Sequence, residues 1–193
     1  TLSVDNLDVI VNGTSDTVNP DVVVDFTQGD LDGDVTTTGV TRVKTGPASF
    51  IDFNMAAKII EASGSMTLSI SSFVFVSGNF AFRKGGSTTA TLSDGSTKDV
   101  SVMTVGASGV DIFVGTNGPA SQAGAMGLSL QNVGFGLALA KPVDTSDNAS
   151  YYGLKASATS VSLIGLSFLT LSVDNLDVIV NGTSDTVKPD AVV

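Results

Sequence analysis

Hydrophobic and polar residues alternate with a period of two along most of this chain. Clear examples are Leu2, Val4, Leu7, Val9 and Val11, then Met66, Leu68 and Ile70, and later Leu128 and Leu130. Alternation of this kind is typical of β-strands that bury one face. We therefore expect an all-β fold, built mainly from an antiparallel sheet that coils on itself and closes into a roll, barrel or sandwich.

Turn signals separate many of these segments, because glycine in a dipeptide supplies the positive φ that tight turns need. Hairpins are predicted at three dipeptides and across one longer loop, namely Asn12-Gly13, Gly85-Gly86, Asp94-Gly95 and residues 141–150. These turns favour antiparallel pairing over the alternative architecture, a β-solenoid.

The phase of the alternation flips at intervals, and each flip requires a bulge or a corner in the sheet. The natural sites are Ser71-Ser72, Ser77-Gly78-Asn79 and Asp174-Asn175.

Residues 50–62 contain the one helical candidate of the chain. Phe53, Ala56, Ala57 and Ile60 fit the i, i+3, i+4, i+7 spacing of a helix face. A short helix that covers one end of the sheet is one interpretation, and a strand in the same place is the other.

The chain also contains a near-exact internal repeat. Residues 170–193 match residues 1–24 at 22 of 24 positions, with an offset of 169 residues. The two copies differ only in having Asn19 against Lys188 and Val22 against Ala191. Near-identity over this length indicates a recent duplication in a tandem array.

We interpret residues 1–169 as one full repeat unit of a longer array. Residues 170–193 are then the first strand or strands of the next unit, packed on the preceding one. The sequence around the boundary at 169/170 contains no flexible linker rich in Gly, Ser or Pro. We expect residues 170–180 to form a strand with the same contacts as residues 1–11, so neighbouring units are mechanically coupled and copies can associate end to end.

Composition excludes several functional classes. The 193 residues carry a net charge of −10, and the repeat unit holds 15 acidic and 8 basic residues, a net charge of −7. A polyanion of this kind disfavours binding to nucleic acid or to anionic membranes. No apolar stretch approaches the roughly 18 residues of a membrane helix, and the chain has no Trp and two Tyr, so we expect no membrane insertion.

Catalytic residue types are also scarce. The chain has no Cys and no His, which excludes a thiol nucleophile, a Ser-His-Asp triad and a His-ligated zinc site. Glu61 is the one Glu, and no carboxylate pair is identifiable in a cleft. We predict that the protein is not an enzyme.

The sharpest chemical signal is acidic. Asp30, Asp32 and Asp34 alternate around Gly33, with Asp25 shortly before them. Carboxylates with this spacing can converge on one hard cation, and Ca²⁺ takes six to eight oxygen ligands. The spacing differs from an EF-hand, since the Gly is at the fourth place of the loop. We predict a calcium site at these four residues, and a solvated acidic turn is the alternative.

Several stretches resemble the long tandem repeats of giant bacterial surface or secreted proteins, which are adhesin-like and often associated with calcium. They are "ASGSMTLSISSFVFVSGNFAFRKG" (62–85), "VGASGVDIFVG" (105–115), "MGLSLQNVGFGLALAKP" (126–142) and "YYGLKASA" (151–158). The resemblance implies an extracellular or cell-surface repeat that extends, anchors or adheres, and it brings no catalytic residues.

Two functions follow from these observations. The first is a non-enzymatic structural repeat of a giant extracellular protein, acting as a stalk or filament segment in adhesion or matrix. The alternative is a calcium-dependent carbohydrate-binding module that is repeated for avidity. An exposed aromatic platform would favour the sugar binder, and Phe113 is the nearest candidate for it, although a core position is favoured there.

Overall fold

The protein is an antiparallel β-sheet structure. The computed structural model describes residues 1–28 and 41–193, and these residues contain strands and no helix. The strands are β1 (Leu2–Asn12), β2 (Thr41–Lys44), β3 (Phe50–Phe53), β4 (Ile59–Ile70), β5 (Val74–Thr91), β6 (Thr97–Thr116), β7 (Met126–Pro142), β8 (Tyr151–Ile164) and β9 (Ser172–Thr183).

Seven of these strands form one sheet in the order β1-β4-β5-β6-β7-β8-β9, and β2 pairs with β3 in a small second sheet. Every neighbouring pair is antiparallel. The predicted all-β antiparallel class is therefore confirmed, and the solenoid alternative is wrong. Within the described ranges the main sheet is not closed into a barrel, because β1 and β9 lie at its two opposite edges.

Two of the predicted hairpins are confirmed. Asp94 and Gly95 form the tight turn between β5 and β6, where Gly95 has a φ of 82° and the Ser96 amide donates to the Asp94 carboxylate. Residues 143–150, within the predicted loop, connect β7 to β8, and Leu139 pairs with Tyr152 across the hairpin. In both places the chain reverses where polar turn formers interrupt the alternation.

The hairpin predicted at Gly85-Gly86 is wrong. Both glycines lie inside the long strand β5, and the register shifts between Lys84 and Ser87, which is a bulge. The bulge brings Ser87 to the carboxylate of Asp21, which accepts a hydrogen bond from the Ser87 amide at 3.0 Å. A glycine pair therefore interrupts this strand without reversing it.

The hairpin predicted at Asn12-Gly13 is also wrong. β1 ends at Asn12, and the chain continues into an irregular loop that extends to residue 28 within the described part. The Asn12 side chain is buried and donates to the carbonyl oxygens of Val24 at 2.8 Å and Ala57 at 3.2 Å. Asn12 thus anchors a long loop and does not form a two-residue turn.

Strands replace the helical candidate at residues 50–62. The first part of this segment is β3, which pairs with Thr41–Lys44, and the last part begins β4. Phe53 packs edge-to-face on Phe26, with ring centroids 5.5 Å apart. The pairing with neighbouring strands outweighs the local helical spacing, as tertiary contacts often do.

A belt of irregular positions crosses the middle of the main sheet. Each of these positions has either a positive φ or a register shift. The φ angles of Asn6, Gly109, Asn132 and Asn175 lie between 49° and 59°. The register shifts between Ser77 and Asn79. The bulge predicted at Ser77-Gly78-Asn79 is confirmed. At Asp174-Asn175 the structure has a positive φ at Asn175 but no bulge, because β9 keeps its register with β8 on both sides of this residue. Ser71 and Ser72 instead form the turn between β4 and β5.

Buried residues collect at one end of the sheet, where the chain's last residues fold over it. The cluster consists of Leu92, Val100, Ala140, Ala149, Tyr151 and Ala191. Ala191 belongs to the second copy of the repeated segment, and the other five residues lie in or beside strands β5 to β8. The second copy therefore completes a core that these strands form.

Candidate functional site

The two copies of the repeated segment fold into the same local structure. In the first copy, Asp16 Oδ1 accepts hydrogen bonds from the amides of Val18 at 2.8 Å and Asn19 at 3.1 Å. In the second copy, Asp185 Oδ1 accepts from the amides of Val187 at 2.9 Å and Lys188 at 3.1 Å. These amide donors favour the charged carboxylate and lower the pKa of both Asp16 and Asp185.

The loop closes in the same way in both copies. Asn12 Nδ2 donates to the Val24 carbonyl oxygen at 2.8 Å, and Asn181 Nδ2 donates to the Val193 carbonyl oxygen at 2.8 Å. Each copy is therefore one structural piece, a strand followed by a pinned loop. This piece keeps its form in two different surroundings.

The two pieces also have the same direction and face. β1 and β9 are separated by six antiparallel steps, so they run in the same direction. One row of paired residues crosses the whole sheet through Ile10, Glu61, Arg83, Thr104, Ala138, Gly153 and Asn181. Ile10 and Asn181 belong to this row, so their side chains lie on the same face of the sheet. Asn12 shares that face with Ile10, since residues two apart in a strand point the same way. Asn12 and Asn181 therefore lie on the same face.

β1 and β9 have the same direction and the same face, but they lie at opposite ends of the sheet. Each therefore pairs with the sheet through a different one of its two hydrogen-bonding edges. β9 pairs through one edge with β8, over Tyr151–Ser162. β1 pairs through its other edge with β4. One repeated sequence thus contains two complementary pairing edges, and each copy in this chain uses one of them.

The second copy docks on the turn between β5 and β6. The Ser93 amide donates to the Val192 carbonyl oxygen at 2.7 Å, and Ser93 Oγ donates to the Asp190 carbonyl oxygen at 2.9 Å. Lys188 Nζ lies 2.9 Å from Asp94 Oδ2. Hydrogen bonds from Ser96 and Lys188 hold the pKa of Asp94 well below its usual range, and Asp94 raises the pKa of Lys188.

The first copy docks on β4 and β5 through a different residue. Asp21 accepts hydrogen bonds from Ser87 Oγ, from the Ser87 amide and from Lys58 Nζ, the last at 3.0 Å. These donors, with Ser87 first, lower the pKa of Asp21 from 3.8 to about 2. The equivalent residue of the second copy is Asp190, whose carboxylate makes no hydrogen bond or ion pair with any described residue.

Both positions that differ between the copies lie at the docked face of the second copy. Lys188 replaces Asn19 and pairs with Asp94, and Ala191 replaces Val22 and is 4% exposed in the buried cluster. Val22 is 68% exposed. The two differences between residues 1–24 and residues 170–193 therefore mark the docked surface in the sequence, because both lie at residues of the second copy that contact the preceding strands.

No protein-family model, curated protein or solved structure matches this chain. Its described residues contain no helix that is long and apolar enough to cross a membrane.

The structure describes one of the four residues of the predicted calcium site. Asp30, Asp32 and Asp34 lie outside the described residues, which are 1–28 and 41–193. Asp25 is described, and its Oδ1 accepts hydrogen bonds from the Thr27 amide at 2.9 Å and from Thr27 Oγ1. Across residues 1–28 and 41–193, no three acidic, His or Cys side chains are grouped to hold a metal. The calcium site stays a prediction.

The aromatic candidate for sugar binding is a core residue. Phe113 is buried, and its ring centroid lies 6.3 Å from that of Phe75. A Cβ on Gly118 would lie 2.5 Å from the Phe113 ring, so the loop after β6 covers this side chain closely. Phe113 cannot present a stacking face to a sugar.

Sequence reasoning did not find the partners of the repeated segment, which are Lys58, Ser87, Ser93 and Asp94. These residues are distant in sequence from the segments they bind. Only the pairing of β5 with β4 and β6 brings them to the same end of the sheet.

Proposed function

We propose that this chain is a non-enzymatic structural repeat of a giant extracellular or bacterial cell-surface protein, in which it forms a stalk or filament segment in adhesion or matrix. One observation carries the proposal: two near-identical segments occupy opposite edges of one open sheet, with the same direction and the same face. Units of this form add to one another by repetition of a single step.

The distance that each unit adds along the sheet can be calculated from the strand order. Between β1 and β9 the sheet advances by six strands per 169 residues. With about 4.8 Å between neighbouring strands, each unit adds about 29 Å along the sheet. Strand twist of about −20 to −25° per strand turns the sheet progressively, so a long array is a twisted ribbon. The net charge of −7 per unit opposes lateral aggregation of such ribbons.

Small-angle scattering on arrays of one, two and four units tests this function. We expect the dimension of the particle across its strands to rise by about 29 Å per unit, since units in one sheet have a fixed spacing. A matched array with a flexible Gly-Ser linker inserted between residues 169 and 170 should show a broad distribution of dimensions. An unmodified array that behaves like the linker array would contradict a stalk role.

A calcium-dependent carbohydrate-binding module is the second candidate. A groove of about 650 Å³ crosses β4 to β9 on one face of the sheet, and its apolar lining includes Phe82, Leu137, Leu154 and Val180. Apolar grooves with a few polar groups are the usual form of ligand sites. Both the acidic segment and this groove support a binding role.

Glycan binding and melting temperature, measured with millimolar Ca²⁺ and with a chelator, test this second candidate. A calcium site stabilises the fold by mass action, so Ca²⁺ should raise the melting temperature and Asp32→Ala should abolish that rise. Asp99→Ala is the control, since this residue lies in β6, far along the chain from the acidic segment. Equal melting temperatures and no glycan binding in either condition would exclude the candidate.

A further inference from the structure

We infer that the free edge of β1 is the docking surface for the β8 edge of a preceding copy of this unit, so that successive units share one strand and one unbroken sheet. β9 is the precedent for this arrangement, because it has the sequence of β1 and pairs with β8 along Tyr151–Ser162 in this chain. The inference rests on the proposed function in one respect, that the preceding unit is a copy of this one.

The apolar side chains of the repeated strand show what the preceding unit covers. Leu7 is 63% exposed and its equivalent Leu176 is 40% exposed. The same change separates Val9 at 56% from Val178 at 40%, and Val11 at 59% from Val180 at 39%. In each pair, contact with β8 and its surroundings removes apolar surface from water, which is favourable.

The other face of the strand shows the opposite change. Ile179 is 73% exposed, whereas its equivalent Ile10 is half-buried by the unit that follows it in the chain. A strand shared by two units would be covered on both faces. The preceding unit would cover the apolar row from Leu7 to Val11, and the strand's own unit would cover Ile10. Neither copy alone has both in this chain.

The loop after the strand has the same division of contacts. Its Asp21 carboxylate binds Lys58 and Ser87 of the same unit, and this contact leaves Asn19 and Val22 exposed. The equivalents of these two exposed residues are the ones that contact Asp94 and the buried cluster in the second copy. The two contact sets use different residues, so one loop can make both without conflict.

Paired prolines in the full 193-residue chain test the shared strand. Successive backbone N–H groups point to opposite edges of a strand, so two consecutive prolines remove a donor from each edge. V178P/I179P should detach β9 and leave the β8 edge free, while the intact β1 of another molecule still has its own edge free. We expect this variant to form end-to-end oligomers in multiples of 19.5 kDa by light scattering.

The same reasoning applies at the other end of the sheet. V9P/I10P should detach β1 and free the β4 edge, which then accepts the free edge of β9 from another molecule. The variant that carries all four prolines has no intact copy of the strand and is the matched control, expected to stay monomeric. Monomeric mass in both two-proline variants, with their strand signal in circular dichroism retained, would overturn the inference.

A synthetic peptide of residues 170–193 provides a second readout. Added to V178P/I179P it should occupy the β8 edge, dissolve the oligomers, and restore the strand signal if the variant has lost its fold. The same peptide with the two prolines is the control and should do neither. A variant that does not respond to the intact peptide would overturn the inference.

These outcomes are separable from those of the proposed function. The proline and peptide experiments report edge pairing between two units, whatever the parent protein does. Scattering from longer arrays reports whether that pairing extends into a stalk of constant spacing.

Discussion

Residues 22 and 191 are equivalent positions in the repeated segment with very different environments. Ala191 contacts a buried cluster that includes Leu92, Val100 and Tyr151, whereas Val22 is mostly exposed. The chain therefore contains an internal control for the docking contact. A change at one position acts on a packed interface, and the same change at the other acts on a surface.

We predict that Ala191→Asp destabilises the protein by about 1–3 kcal/mol, because a carboxylate placed in this cluster loses hydration without gaining a partner. Val22→Asp should change the free energy of unfolding by no more than about 0.5 kcal/mol, as is usual for surface substitutions. Urea denaturation followed by circular dichroism measures both. Equal effects of the two changes would contradict the assigned docking contact.

The stability of the loops should depend on pH in the acid range. The pKa of Asp21 is about 2 in the folded protein against 3.8 ordinarily, and the pKa of Asp94 is also lowered. A carboxyl group with a lowered folded pKa stabilises the fold above its unfolded pKa and loses that contribution as pH falls through the folded value.

We therefore expect the melting temperature to be flat from pH 7 to about pH 5 and to fall between about pH 4 and pH 2, the window set by these pKa values. Asp21→Asn should lower the melting temperature at pH 7 and reduce the fall below pH 4, since the neutral amide does not titrate. A fall of the same size in Asp21→Asn and the unmodified protein would show that Asp21 does not contribute.

At the scale of strands, β6 and β7 approach unusually closely at one glycine pair. Gly115 and Gly127 lie opposite each other, and a Cβ on Gly127 would lie 2.3 Å from the Val114 carbonyl oxygen. The atom it would meet is backbone, which cannot rotate away. Another glycine of the same strand, Gly136, has open space within 4 Å of an added Cβ.

Gly127→Ala should destabilise the protein by about 1–3 kcal/mol, the usual cost of forcing extra atoms into a packed site. Gly136→Ala should be neutral or slightly stabilising, since glycine weakens a strand interior. Thermal unfolding of the two variants under the same conditions provides the comparison. Similar melting temperatures would mean that β6 and β7 separate more easily than their pairing suggests.

The predicted elements differ in how far local sequence controlled them. Asp94-Gly95 and the loop at 141–150 became turns, because polar residues interrupt the alternation on both sides there. Gly85-Gly86 has the same local signal and lies within β5, since Lys84 and Ser87 on either side of the bulge pair with Met103 and Ser101 of β6. Only the partners of a strand decide whether a glycine pair bends it or reverses it.

At the scale of the whole molecule, β9 and its loop pack on the strands that precede them in the chain. β9 pairs with β8 over most of its length, and Ala191 completes the buried cluster. These contacts remove apolar surface from water, which stabilises the folded state. The second copy of the segment should therefore stabilise the strands that precede it.

Deletion of residues 170–193 should lower the melting temperature by several degrees, because an order of 1 kcal/mol or more of strand packing is lost. Addition of a further full unit should raise it, since a second interface is formed. Differential scanning calorimetry on the three lengths measures the trend. An unchanged melting temperature after the deletion would mean that the second copy is not part of the fold of the first unit.

The sequence by itself determined the strand content, the antiparallel class, two hairpins, one of the central bulges and the existence of a repeated segment. These features depend on contacts within a few residues or on identity between two stretches of the chain. Alternation with period two has one physical meaning, a strand with one face more buried, and it needs no knowledge of the partners.

Tertiary structure alone decided that the two copies occupy opposite edges of one sheet, and that Lys58 and Ser87 bind one copy while Ser93 and Asp94 bind the other. It also decided that the segment 50–62 contains β3 and the start of β4 in place of a helix. The physical reason is the same in each case: strand order and register depend on pairings between residues far apart in sequence, and a period of two is compatible with many such pairings.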